Sequence, residues 1–172
     1  MTSTASSDLD EVLEEVTSWF FDDYFPRWVA AGNGASDEGP EFILQFWGCP
    51  LHVSTPQINM WVTEPQGVLD LLEMNQKPLR DAGYTHTVIA DSRVIVFHSS
   101  GAAIDAIWSR RATDDTEIQR VAVHFELVRS DDGWRVVGIQ TSDTTTSSLD
   151  RLWPPHRVDY DRSPGRQGRS GS

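Results

Sequence analysis

Two placements of carboxylates in this 172-residue chain could do proton chemistry. The first is on the amino-terminal helix that the residues from Asp8 to about Tyr24 are expected to form. An α-helix turns by about 100° per residue, so the seven steps from Val16 bring Asp23 back to within about 20° of Val16. That puts Asp23 inside the apolar stripe of Leu9, Val12, Leu13, Val16, Trp19 and Phe20. A carboxylate turned toward a core is desolvated, and its pKa rises into the range of a general acid or base. Tyr24 lies off the stripe and offers a phenol hydrogen bond where the helix ends. The competing reading is a helix-end Asp23 turned to solvent by the break at Pro26.

The second placement is a cross-strand pair. If the chain reverses at Asp114-Asp115 through a turn of two or four residues, Asp105 faces His124, Ser109 faces Arg120 and Ala103 faces Glu126. An Asp that orients a His is a common form of general base. The same register sets Ile104, Ala106 and Trp108 beside Val121, Val123 and Phe125 on the other, more apolar face. That face is expected to be the core side, so the Asp–His pair falls on the back of the sheet, where a structural or interface role competes with catalysis. A four-residue turn after Arg129 would place Trp134, Val136 and Gln140 on the core face. There Gln140 could donate to and accept from a ligand, and Trp108 could form a flat apolar wall, although both residue types more often simply pack. His52 and His86, near strand ends, are further candidates for a pocket mouth.

Other chemistry finds no support. There is no Gly-rich phosphate loop, no His-Glu-x-x-His and no Gly-x-Ser-x-Gly. Cys49 is the single cysteine, which excludes an internal disulfide framework and a Cys-rich zinc site. The five histidines are scattered, and neither a metal nor a cofactor is expected. Lys+Arg 14 against Asp+Glu 26 gives a formal net charge of −12, which repels polyanions at long range. No nucleic-acid partner is therefore expected. No apolar run is long enough for a membrane span, and residues 1–7 lack the basic and apolar regions of a secretory signal. The expectation is a cytoplasmic protein without a membrane partner.

These residues need elements to position them. Asp8 to about Tyr24 reads as a long helix, and Ser36 to about Trp47 as a short second one. His52 to Val62 is strand-like with a turn near Thr55-Pro56. A third helix starts at Thr63-Glu64-Pro65, presents Val68, Leu71, Leu72 and Leu79 on one side, and stops at Gly83. From Tyr84 the pattern turns to β: Thr85 to His98, Ala102 to Arg111, Ile118 to Arg129 and Trp134 to Thr141, joined by short turns that imply antiparallel hairpins. The expected class is α+β, with a curved antiparallel sheet packed on three helices. Residues 8–143 form the domain, 1–7 are expected to be disordered, and the Gly/Ser/Arg-rich stretch 144–172 reads as a disordered tail.

The order helix, short helix, short strand pair, helix and long-stranded sheet, ending in Asp132-Gly133-Trp134-Arg135-Val136, resembles the nuclear-transport-factor-two-like superfamily. That superfamily includes SnoaL-like polyketide cyclases, ketosteroid isomerase and scytalone dehydratase. The resemblance covers roughly Asp8 to Asp143. It implies a cone-shaped fold with a pocket between sheet and helices, often dimeric, but not one reaction. The expected function is cofactor-independent acid/base chemistry (cyclisation, dehydration or isomerisation) on an apolar small molecule. Asp23 or the Asp105–His124 pair would act as acid/base, with Tyr24 and Gln140 polarising an oxygen. The alternative is a non-catalytic binding or dimerisation module. A homodimer through the back of the sheet is expected, because a two-residue turn at Ser99-Ser100 would set Val94 and Val96 beside Ile107, Val137 and Ile139 there.

Overall fold

The computed structural model describes residues 4–156. A single helical rod opens the chain: α1 (Thr4–Ser18), a π-helical turn (Trp19–Tyr24) and α2 (Phe25–Gly32). The rod begins before Asp8 and runs past Pro26, where a break was expected. Pro26 stands at the start of α2, just where the wide turn already interrupts the regular backbone ladder; the Phe25 N–H donates to the Phe20 carbonyl five residues back. The expected short second helix is a 3-10 helix, Pro40–Gln45.

β1 (Trp47–Ser54) and β2 (Asn59–Val62) form a hairpin, and α3 (Pro65–Asp81) crosses to the main sheet. Pro65 at its first turn and Gly83 at φ 79° just beyond it mark its ends. Val68, Leu71, Leu72 and Leu79 are all buried, and Pro78 stays within the helix. β3 (Tyr84–His98), β4 (Gly101–Ala112), β5 (Glu117–Ser130) and β6 (Gly133–Asp143) follow as successive hairpins. The sheet order is β2-β1-β6-β5-β4-β3. It is a curved, mixed sheet, not a purely antiparallel one, because β1 pairs parallel with β6. The class is α+β, as expected, with α1, α2 and α3 on one face.

The core lies between that face and the helices. Val12, Val16, Phe20, Tyr24 and Trp28 of the rod meet Ile104, Ala106, Trp108, Val121, Val123, Phe125 and Leu127 of the sheet. From Arg110 inward the β4–β5 register is the expected one, with Asp105 opposite His124, Ser109 opposite Arg120 and Ala103 opposite Glu126. The turn itself is odd rather than even, with Arg111 opposite Glu117, and a register shift beside Arg110 compensates.

Two bulges change the faces of other residues. The β3–β4 register shifts between Val96 and His98, so Val96 pairs with Ala102 and Val94 with Ile104; both valines pack against the core. The β5–β6 register shifts between Glu126 and Leu127, so Phe125 pairs with Ile139 and His124 with Gln140. One extra residue flips every side chain beyond it to the opposite face. The back-face stripe on which the dimer expectation rested therefore loses Val94, Val96 and Ile139. Ile107 and Ala122 remain on the back and are covered by the chain itself. α4 (Leu149–Leu152) buries Leu149 on them, with Leu152 and Trp153 alongside. Asp91 Oδ2 accepts the Leu149 N–H at 2.8 Å. The ordered chain thus continues past Asp143, where the tail was expected to begin; 1–3 and 157–172 lie outside the described residues. Among the described residues no helix is long and apolar enough to cross a membrane.

Candidate functional site

The wide turn in the rod decides what the cone contains. A π turn rotates the chain less per residue than an α turn. Eight residues, not seven, then separate Val16 from the next residue on its face. That residue is Tyr24, which is buried. Asp23 is turned outward instead, with its side chain 56% exposed and Oδ1 3.4 Å from Arg27 Nη1. The expected exchange of roles is reversed: Tyr24 lies in the stripe and Asp23 off it.

Tyr24 lines an apolar cavity between the rod, α3 and the sheet. Phe25 and Trp28 come from α2, Leu71, Met74 and Asn75 from α3, Trp108 and Arg110 from β4, Val123 and Phe125 from β5, and Ile139 and Thr141 from β6. Val53, Thr55, Ile58 and Met60 close the β1–β2 side. The free volume is about 80 Å³, so a guest of any size must displace the mobile-rotamer side chains at the rim, such as the half-exposed Met74. The Phe25 and Trp108 rings approach to 4.7 Å between centroids and form one aromatic wall.

Three residues of this wall, Trp47, Trp108 and Arg110, carry side-chain N–H donors and no acceptor. The Tyr24 hydroxyl accepts the Trp47 indole N–H at 3.2 Å and keeps its own proton. Burial pushes the Tyr24 hydroxyl well above its ordinary pKa, outweighing the Trp47 hydrogen bond and the nearby Arg110 charge. Trp108 Nε1 and Arg110 Nε are buried and have no hydrogen-bond partner among the described residues. The Arg110 guanidinium lies 5.0 Å over the Trp28 ring. Its Nη1 donates to Gln119 Oε1 at 2.8 Å, and Gln119 Nε2 in turn donates to Asp143 Oδ1 at 2.8 Å. Burial pulls the Arg110 pKa below the ordinary guanidinium value. Among the described residues, no Asp, Glu or His lines the cavity.

The other expected acid/base group sits on the opposite side of the sheet. His124 Nδ1 is 2.7 Å from Asp105 Oδ1, and Arg93 Nε and Nη2 donate to Asp105 Oδ2 at 3.1 and 2.7 Å. Burial alone would raise the Asp105 carboxyl, but the His124 hydrogen bond and then Arg93 outweigh it and hold the carboxyl below its ordinary value. Gln140 and Trp153 border the same cleft of about 590 Å³. The bulge in β6 carries Gln140 here, away from the core face where it was expected. Thr55 and Thr141 border both this cleft and the apolar cavity.

The other two candidate histidines, His52 and His86, reach neither. His52 Nε2 is 2.9 Å from Asn59 Oδ1 and its ring lies 4.9 Å from the Trp61 ring, over a hollow on the back of the sheet. His86 is held between Thr85 Oγ1 and Asp115 Oδ1 at the β4–β5 turn. Trp108 and Tyr24 are thus the expected residues that the cavity contains, and Arg110 is the one that was missed. Its signal was present: strand alternation puts Arg110 on the face of Trp108, a charge in a row of core positions.

A family model described as an NTF2-like protein (DUF6841) matches residues 14–144. Similar folds occur among solved structures. One is a DUF3225-family protein of unknown function from Pectobacterium atrosepticum (TM-score 0.55, 16% identity, covering 78% of this chain and 92% of that one). An NTF2-like protein with a cystatin-like fold from Novosphingobium aromaticivorans has TM-score 0.53 and 15% identity, covering 88% and 90%. An NTF2-like-family protein from Streptomyces avermitilis, provisionally described as a dehydratase, has TM-score 0.53 and 14% identity, covering 83% and 100%. No curated protein sequence matches the chain. At these identities the likeness carries the fold and not the activity.

Proposed function

This chain belongs to the NTF2-like DUF6841 family, and from that membership we propose that its cone cavity binds an apolar small organic molecule. The observation that carries this reading is the lining itself. The walls are aromatic and aliphatic, with a few convergent polar groups, as in small-molecule sites generally. The same lining favours binding over proton-transfer turnover inside the cone. A general base must exchange a proton near neutral pH. Tyr24, held above its ordinary pKa, keeps its proton, and Arg110 keeps its charge, so neither serves as that base.

The acid/base reading has its support on the other face. There Asp105 orients His124 in an open cleft with Gln140, and the His124 side chain is 34% exposed. A reaction in that cleft would use the second ring nitrogen of His124 as base and Gln140 to hold a substrate oxygen. Self-association belongs to the proposal through the exposed Trp61 and Val128 beside Val137 on the back of the sheet. Sedimentation giving a dimer at micromolar concentration supports it, and a monomer alone removes it.

The test of the cavity reading uses Met74, on the rim and 52% exposed. A thermal-shift panel of aromatic and terpenoid-like compounds should return stabilising ligands. Met74→Trp should abolish their binding with little change in the melting temperature of the free protein. Ligands that bind Met74→Trp as well as the parent would place binding elsewhere.

A further inference from the structure

We propose that the molecule taken by the cone carries an anionic oxygen group, a carboxylate or an equivalent oxyanion, held by Arg110 and the Trp108 indole N–H; this rests on the cavity being the binding site. Three features point to it. Trp108 lines the cavity and is 5% exposed, and its Nε1–H, a pure donor, has no acceptor among the described residues. An unpaired buried donor costs free energy that a ligand acceptor would recover. Arg110 Nε is a second such donor two residues along the same strand, on the same face.

The third feature is charge. Arg110 is a guanidinium set into an aromatic wall with no carboxylate hydrogen-bonded to it among the described residues. Asp143 makes no hydrogen bond to it; its charge acts on the guanidinium from beyond Gln119. A desolvated cation is normally paired. Here the Trp28 ring face and a neutral amide take two sides of the guanidinium, and the cavity takes another. Asn75 and Thr141 add neutral polar groups to the lining but no negative charge. A neutral ligand leaves Arg110 with no counter-charge in contact with it, whereas an anion supplies one together with acceptors for both orphaned donors. The remaining lining is apolar, so the ligand class is an amphiphile: a flat or branched hydrocarbon body with one acidic end.

The test compares a pair of probes of the same shape: naphthoate, and naphthyl methyl ketone as its uncharged counterpart. Affinities are measured by calorimetry for the parent protein, Arg110→Met and Trp108→Phe. Arg110→Met exchanges the cation for an unbranched apolar chain, a replacement that buried cations often tolerate without loss of stability. The parent should bind naphthoate at least about tenfold more tightly than the ketone. Arg110→Met should erase that preference, and Trp108→Phe should weaken naphthoate more than ketone. Circular dichroism confirms that each variant is folded, and where one is not, the other decides. Equal affinity of the parent for both probes, or a preference that survives both variants, would overturn the anion proposal and leave the cavity reading standing. If neither probe binds the parent, and Met74→Trp changes no ligand found in the thermal-shift panel, the cavity reading falls and this proposal with it.

Discussion

Asp105→Asn should destabilise the protein and do so in a pH-dependent way. The carboxylate is 4% exposed and accepts three hydrogen bonds, one from His124 and two from Arg93. Asparagine keeps the shape but has one acceptor oxygen. If that oxygen faces His124, the amide NH2 points at two Arg93 donors, and rotating it only moves the conflict. Hydrogen bonds to a charged group are each worth about 1.5–3 kcal/mol. The Arg93 side chain is 38% exposed, so water replaces part of what it loses and its share is discounted. The net loss should be about 2–4 kcal/mol, or roughly 5–15 °C in melting temperature for a domain of this size.

The pH dependence follows from the depressed Asp105 pKa. Its stabilisation is fully present above the unfolded carboxyl value of about 3.9 and is lost as pH falls through the lower folded value. Thermal melts of parent and variant from neutral pH downward should show a gap that persists to about pH 4 and closes below it. A gap under about 1 kcal/mol at neutral pH, or one that stays constant into strong acid, would refute the reasoning.

Two further substitutions probe the supports of the sites. Tyr24→Phe removes the acceptor of the buried Trp47 indole N–H and should cost about 1–3 kcal/mol in chemical denaturation; a neutral result would mean that Trp47 finds another acceptor. Leu149→Ala should cost about 2–4 kcal/mol, because Leu149 is the buried anchor of α4 on Ile107 and Ala122, and hydrogen exchange should quicken at α4 before the sheet. No change on either measure would mean that α4 does not stabilise the back of the sheet.

The sequence carried the local parts of this fold. Apolar periodicity located α3 and its four buried residues, and the turn residues located the hairpins. Asp105 does align with His124, but not through the even turn expected: Arg111 pairs with Glu117 across an odd turn, and a register shift beside Arg110 restores the alignment. What failed depended on single-residue insertions that residue type does not encode. A π turn at Trp19–Tyr24 exchanged Asp23 for Tyr24 in the core, and bulges in β3 and β6 moved Val94, Val96, Gln140 and Ile139 to the opposite face. Each is one residue long, yet each reassigns every later position on its element. The parallel β1–β6 pairing joins segments far apart in sequence, beyond the reach of a hairpin argument. Arg110 could have been found by extending the core-face alternation of β4 two residues past Trp108. The covering of the back by α4 could not, since Leu149 lies in a stretch whose composition reads as tail.

The indole N–H resonance of Trp108 reports on the cone most directly. It is to be assigned in a nitrogen–proton correlation spectrum by its loss in Trp108→Phe and followed during titration with naphthoate. Trp108 lines the cavity, and this N–H has no acceptor among the described residues. On binding, it should move downfield more than any other indole signal, while that of Trp61, 65% exposed on β2, stays in place. Saturable binding of naphthoate with the Trp108 resonance unmoved would contradict the proposal.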